Sequence, residues 1–341
     1  MTIENDRVDG SGEVEAADGG PAMTEGAPMP EETLTGLPVS NEDIDRAERF
    51  LAASDIDAVL PMLQEMAQAV DAYAQSRCQA TDRVQWFSFS DSFERLAYRR
   101  VERDPRNLVQ MPVALDRLYA DLGYACIRLE AWEPARDALM QAVRWNPMNC
   151  NYRLDLAEVF RALGNEHEWA ALSASVLERA SDARSLARAY ANLGQHFAGA
   201  DNPLAASGCL RLARGLVADD PRVTRLAERL DKEHPELASE SDGAAVIELA
   251  NQGIETNANA EIAICLLMCA SDAAAAGNRD QAARYTVRAR DLIGQEACAA
   301  LIQLIHESDA ELAEERAAGD SAAEADVSVA DSAAPASTEE A

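Results

Sequence analysis

Residues 116–149 read DRLYADLGYACIRLEAWEPARDALMQAVRWNPMN, and the spacing of small and large side chains in this stretch decides the fold. Leu122-Gly123, Cys126, Trp132, Ala135, Leu139, Ala142 and Pro147 divide it into two amphipathic segments around a short turn. Apolar residues at intervals of three and four predict helices over about Leu115–Leu129 and Glu133–Trp145. Gly123, Ala135 and Ala142 sit where two backbones approach most closely, and larger residues fill the spaces around them. Pro147 lacks the N–H the second helix needs to continue.

This 34-residue pattern resembles a tetratricopeptide repeat. The resemblance implies an all-α chain, a right-handed α-solenoid of helix-turn-helix units whose usual work is to hold another protein. A second unit over about Cys150–Ala183 carries Leu156-Ala157, Phe160 and Gly164, with Trp169 where the family has a small residue, so a slipped register is expected there. A third, over about Ala187–Asp220, carries Tyr190, Leu193-Gly194, Phe197, Ala206, Leu210 and Ala213 and closes at Pro221. The resemblance covers roughly Leu115–Pro221. Looser copies reach Ile293 through Gly277-Asn278, Ala282 and Ala289.

Outward from the repeats, Ser40 followed by acids predicts a helix start, with Ile44, Ala47, Phe50 and Leu51 on one stripe. A second helix runs from Ser54-Asp55 to about Cys78, carrying Pro61 near its start. Trp86-Phe87-Ser88-Phe89 reads as an apolar connector, and Trp86 as an exposed anchor for a partner or a packed residue. A helix over Ser92–Glu102 ends at Asp104-Pro105, which resembles the closing loop of a degenerate repeat. Beyond Pro221 the pattern predicts helices over Arg222–Lys232, Ala244–Gln252 and Ala260–Ala275, with a loop over Ser239–Gly243.

The chain therefore divides into an acidic tail (1–40), an N-terminal helical region (41–107), repeats (108–236), C-terminal repeat-like helices (237–312) and a second acidic tail (313–341). Both tails are poor in apolar residues and are expected to be disordered. About −18 of the net charge of −30 lies before residue 42 and after residue 306. That balance argues against sequence-independent nucleic-acid binding, which depends on Lys and Arg neutralising phosphates. No basic leader precedes an apolar run, and the most apolar stretch, around Ile262–Ala270, is too short to span a bilayer, so a cytoplasmic protein without membrane insertion is expected. Seven scattered cysteines read as buried free thiols.

In the family, the first helix of each unit lines the concave face. Here that face carries Arg117, Asp121, Tyr124 and Arg128, then Asn151, Asp155, Glu158 and Arg161, then Arg188, Asn192 and Gln195. Arginine forks and amides suit carboxylates and backbone groups, so a protein or peptide segment is the expected partner. Family members that clamp a terminal carboxylate use a Lys/Asn/Arg set, whereas this chain has one lysine, Lys232, outside the clear repeats.

No catalytic, metal or cofactor signature emerges. Lys232 is followed by Glu233 rather than Ser or Thr, His167-Glu168 lacks a second histidine, and Cys265 and Cys269 share a helix face without a partner pair. The sequence thus predicts a non-enzymatic scaffold or adaptor. A ligand-sensing regulatory repeat protein and a self-associating structural subunit are the alternatives.

Overall fold

The computed structural model describes residue 34 and residues 36–308; most of the first tail and all of the second lie outside them. In chain order the elements are α1 (Asn41–Ala52), α2 (Ile56–Arg77), β1 (Val84–Phe87), α3 (Ser92–Glu102), β2 (Asn107–Gln110), α4 (Leu115–Arg128) and α5 (Trp132–Trp145). There follow α6 (Cys150–Ala162), α7 (Glu166–Leu177), α8 (Ala183–Gly199), α9 (Pro203–Leu216), α10 (Pro221–Glu233), α11 (Asp242–Asn251), α12 (Ala260–Ala275) and α13 (Arg279–Ile293). Residues 295–308 are also helical. The fold is mostly α, and none of the described helices is long and apolar enough to cross a membrane.

One local device recurs along the chain. Three residues separate α1 from α2, α4 from α5, α6 from α7, α8 from α9, and α12 from α13. In each turn the middle residue is left-handed: Ser54 (φ 59°), Glu130 (54°), Gly164 (77°), Asp201 (57°) and Gly277 (78°). The residue after it donates its N–H to a carbonyl five positions back, as in Asp55 to Phe50 (3.0 Å), Ala131 to Cys126 (3.0 Å) and Asn278 to Ala273 (2.8 Å). This closure satisfies a terminal carbonyl of the first helix and reverses the chain. Four of the five second helices are then capped by an Asp or Asn side chain, from Asp55, Asn165, Asn202 or Asn278. The α6–α7 turn has the same length as the others, so Trp169 causes no slip; it is 1% exposed and lies edge-on to His196 of α8.

The hairpins pack in sequence. Through the first four hairpins each second helix lies against the first helix of the next: α2 on α4, α5 on α6, and α7 on α8. First helices also touch, α1 beside α4 and α6 beside α8. Small residues permit the close approaches: a Cβ on Gly123 would stand 2.7 Å from Leu139 Cγ, and one on Gly194 would collide with Leu226 of α10. The first hairpin is α1–α2, and α3 does not complete a repeat.

Instead, residues 78–114 are inserted between the first and second hairpins. β1 and β2 pair in parallel, Val84 opposite Asn107 through Phe87 opposite Gln110, with α3 as the crossover a parallel pair requires. The first half of the Trp86–Phe89 connector is therefore strand, and Trp86 is buried at 6% exposure, which removes it as an exposed anchor. Phe87 stacks on Phe89 at 4.7 Å and tilts against Tyr98 at 4.5 Å. The Asp104-Pro105 ending follows a left-handed cap at Arg103, and Asp104 is held by Arg106 at 2.7 Å.

Past α10 the chain doubles back. α11 begins at Asp242, inside the expected loop, and packs on α9. The α12–α13 hairpin docks on α3, where Arg100 meets Glu261 at 3.2 Å and the Arg288 guanidinium lies 4.9 Å over Phe93. Asp220, at the end of the third expected unit, caps the start of α10. All seven cysteines are buried and free.

Candidate functional site

The first helices α1, α4, α6 and α8 adjoin through polar side chains. Arg117 on α4 reaches Asp45 and Glu48 of α1 at 2.8 and 2.7 Å. Tyr152 of α6 donates to Asp116 of α4 at 3.2 Å, and Arg188 of α8 pairs with Asp155 of α6 at 2.8 Å. These bonds run across consecutive units, so they define one face to which α1, α4, α6 and α8 all contribute.

The residues expected on that face separate into three groups. Arg117 is spent on ion pairs with α1, and Arg188 gives one end of its fork to Asp155 of α6. Asn192 is 1% exposed and donates to Ser173 Oγ of α7 at 3.2 Å, so it packs between units and cannot reach a ligand. The remainder are available: Tyr124 and Arg128 are exposed and joined by a 3.2 Å bond, and Asn151 is exposed. Arg161 is exposed as well, lying 4.4 Å over the Trp169 ring and 4.0 Å from the partly buried Glu158. Gln195 is partly buried. α8 buries residues on nearly every side, which leaves Arg184, Arg188 and Gln195 as its accessible polar groups on this face.

At one end of the face a cleft of about 580 Å³ opens where α6, α8 and α10 begin. Asn151, Asp182, Arg184, Ser185, Arg188 and Arg222 contribute to its walls. Of these, Asn151 and Arg188 follow from the repeat pattern, whereas Arg184 falls between the expected units Cys150–Ala183 and Ala187–Asp220 and Arg222 lies beyond the last of them.

Asp121 behaves differently. One of its carboxylate oxygens is buried without a hydrogen-bond partner, and burial, then Glu48, push its carboxyl up to about 7 against the pull of Arg117. In the unfolded chain an aspartate loses its proton near pH 4. Between those values the folded chain holds more protons, so stability falls as pH rises through the window. Asp121→Asn should therefore unfold like the parent at pH 4 yet be more stable by on the order of 1 kcal/mol at pH 8, after discounting for partial exposure. Thermal melts at both pH values test this; parallel profiles would remove Asp121 as the cause.

Beside this face lies a second recess of about 390 Å³, at the carboxyl ends of β1 and β2 and the start of α4. Ser88, Ser90, Gln110, Asn41 and Arg117 line it, with the buried Asp116 among them. Asp116 accepts from Ser88 at 3.2 Å, and Asn146 bridges it to Glu94. Burial raises both carboxyls, opposed by these hydrogen bonds. Among the described residues no group of three or more His, Cys, Asp or Glu side chains is arranged to hold a metal ion.

No protein-family model matches the chain, and no curated protein is significantly similar to it.

Proposed function

We propose that this is a tetratricopeptide-like α-solenoid that acts as a non-enzymatic interaction scaffold, holding a segment of a partner protein along the face formed by α1, α4, α6 and α8. The observation that carries this reading is the repeated unit itself. Five hairpins share one turn geometry, and the first helices of four of them, α1, α4, α6 and α8, are linked in turn by polar bonds. Such stacking produces an extended surface rather than an enclosed pocket, and extended surfaces suit extended ligands.

Tyr124 and Arg128 are the natural anchors, since both are exposed and an aromatic-arginine pair supplies apolar area and a charged fork together. Capture of protein partners from native extract by the full chain should be lost in Tyr124→Ala/Arg128→Glu. Arg117 and Arg188 are poor choices for this test because reversing either breaks an ion pair between helices. Undiminished capture by the double variant would reject this face.

The recess beside β1 and β2 supports a second reading, a ligand-sensing repeat protein. Its location outside the carboxyl ends of parallel strands, next to a helix N-terminus, is a common position for small-molecule sites. A metabolite panel in thermal-shift format separates the readings, because a ligand at 100 times its Kd adds about 2.7 kcal/mol.

A further inference from the structure

We infer that the cleft at the starts of α6, α8 and α10 receives carboxylates, so that the segment bound there is an acidic stretch of a partner protein; this rests on the interaction reading above. The inference comes from hydrogen-bond accounting within the cleft. Of its lining carboxylates, Asp182 is occupied by the N–H and hydroxyl of Ser185, both at 2.8 Å, and Asp220 by the N–H of Arg222 at 2.7 Å. Both serve as helix caps and have little left to offer the guanidinium groups around them.

Three arginines face three lining aspartates, Asp182, Asp219 and Asp220, and the arginine N–H donors outnumber the bonds made to these carboxylates. Arg184 is exposed and has no ion-pair partner among the described residues, and Arg222 lies 3.8 Å from Asp220, too far for a hydrogen bond. Arg188 has a side chain 14% exposed; Asp155 takes one end of its fork, while its Nε is buried with no partner. Asn151 adds an exposed side-chain amide. The unpaired Arg184 fork, the Arg222 fork held only loosely by Asp220 and the Asn151 amide form a set that a planar carboxylate completes, because arginine binds carboxylate through two parallel bonds.

The net charge of the chain selects among anions. At −30 it repels the dense charge of nucleic acid more than an acidic segment whose carboxylates are spaced by other residues and meet the local donors within a screening length of about 8 Å. Asp219 also lines the cleft and disfavours the second charge of a phosphate monoester more than the single charge of a carboxylate.

The test uses the full chain and a fluorescent peptide of alternating glutamate and glycine, read by anisotropy against its glutamine counterpart. The glutamate peptide should bind at least about tenfold tighter, and Arg184→Glu/Arg222→Glu should lose at least about tenfold, in keeping with charge-assisted bonds at a partly exposed site. Arg214→Glu/Arg279→Glu, which changes exposed arginines outside the cleft, should bind like the parent, with unchanged circular dichroism in both variants. Equal binding of the two peptides, or full binding by the cleft variant, overturns the assignment. So does displacement of the peptide by inorganic phosphate at far lower concentration than by glutarate, which would mark a phosphate site. The two readings fail separately. Capture from extract that survives the cleft variant but not Tyr124→Ala/Arg128→Glu removes the cleft alone, while cleft-dependent peptide binding without any capture removes the scaffold reading.

Discussion

Trp145→Ala is expected to lower the unfolding free energy by roughly 3–5 kcal/mol, the usual cost of emptying a large aromatic site in a packed core. Trp145 ends α5, is 1% exposed, and packs with Trp86, Val109 and Met111 of the insertion and with Leu115, Leu118 and Tyr119 of α4. Its carbonyl accepts the Ser88 N–H at 2.8 Å, so the same residue pins β1 to the hairpin row by backbone as well as by side chain. A whole domain commonly holds only about 5–15 kcal/mol, which makes this a severe lesion. The indole Nε1 is buried without a partner, so Trp145→Phe sacrifices area but no hydrogen bond. That variant should lose about 1–2 kcal/mol. Urea titrations followed by circular dichroism give both values. A loss below about 1 kcal/mol for alanine would mean that the insertion is not anchored here.

The helices were legible because their signals are local. Ser40 starts α1 as the sequence predicts, forming a capping box with Asp43, and Pro147 follows a helix that stops at Trp145. The turns were legible only where glycine marked them. Gly164 and Gly277 advertise a left-handed middle residue, whereas Ser54, Glu130 and Asp201 adopt the same conformation with ordinary side chains. For that reason α1–α2 read as two helices rather than as a hairpin of the row. The insertion was hidden for another reason. Four-residue strands carry too few alternations to register, and the partners in a parallel pair lie a whole helix apart in sequence. On the shared face, Tyr124 and Arg128 could be read from periodicity alone. The fates of Arg117, Arg188 and Asn192 could not, because Glu48, Asp155 and Ser173 sit on neighbouring helices brought near by packing.

Asn146→Ala should cost about 3–4 kcal/mol at pH 7.5 and about half that at pH 4.5. Asn146 is fully buried, and its amide donates to Glu94 at 2.9 Å and Asp116 at 3.0 Å, with Ser90 Oγ at 3.3 Å. Bonds to buried charged acceptors are worth about 1.5–3 kcal/mol each, and removing the donor leaves two carboxyls facing each other in a poorly solvated space. The pH dependence follows from their titration. Burial already raises both carboxyls above their unfolded values, so the native chain holds the extra protons and stability declines as pH climbs above about 4. Without the amide both rise further and the decline steepens. In acid the protonated groups can bond to each other and to Ser88, Ser90 and Tyr152, which already contact the cluster, so much of the loss is recovered. Urea titrations at the two pH values decide the matter. An equal loss at both would show that Asn146 acts by packing alone. A loss about twice as large at pH 7.5 as at pH 4.5 would establish that one amide holds the insertion, through Ser90 and Glu94, to the helix that carries Tyr124 and Arg128.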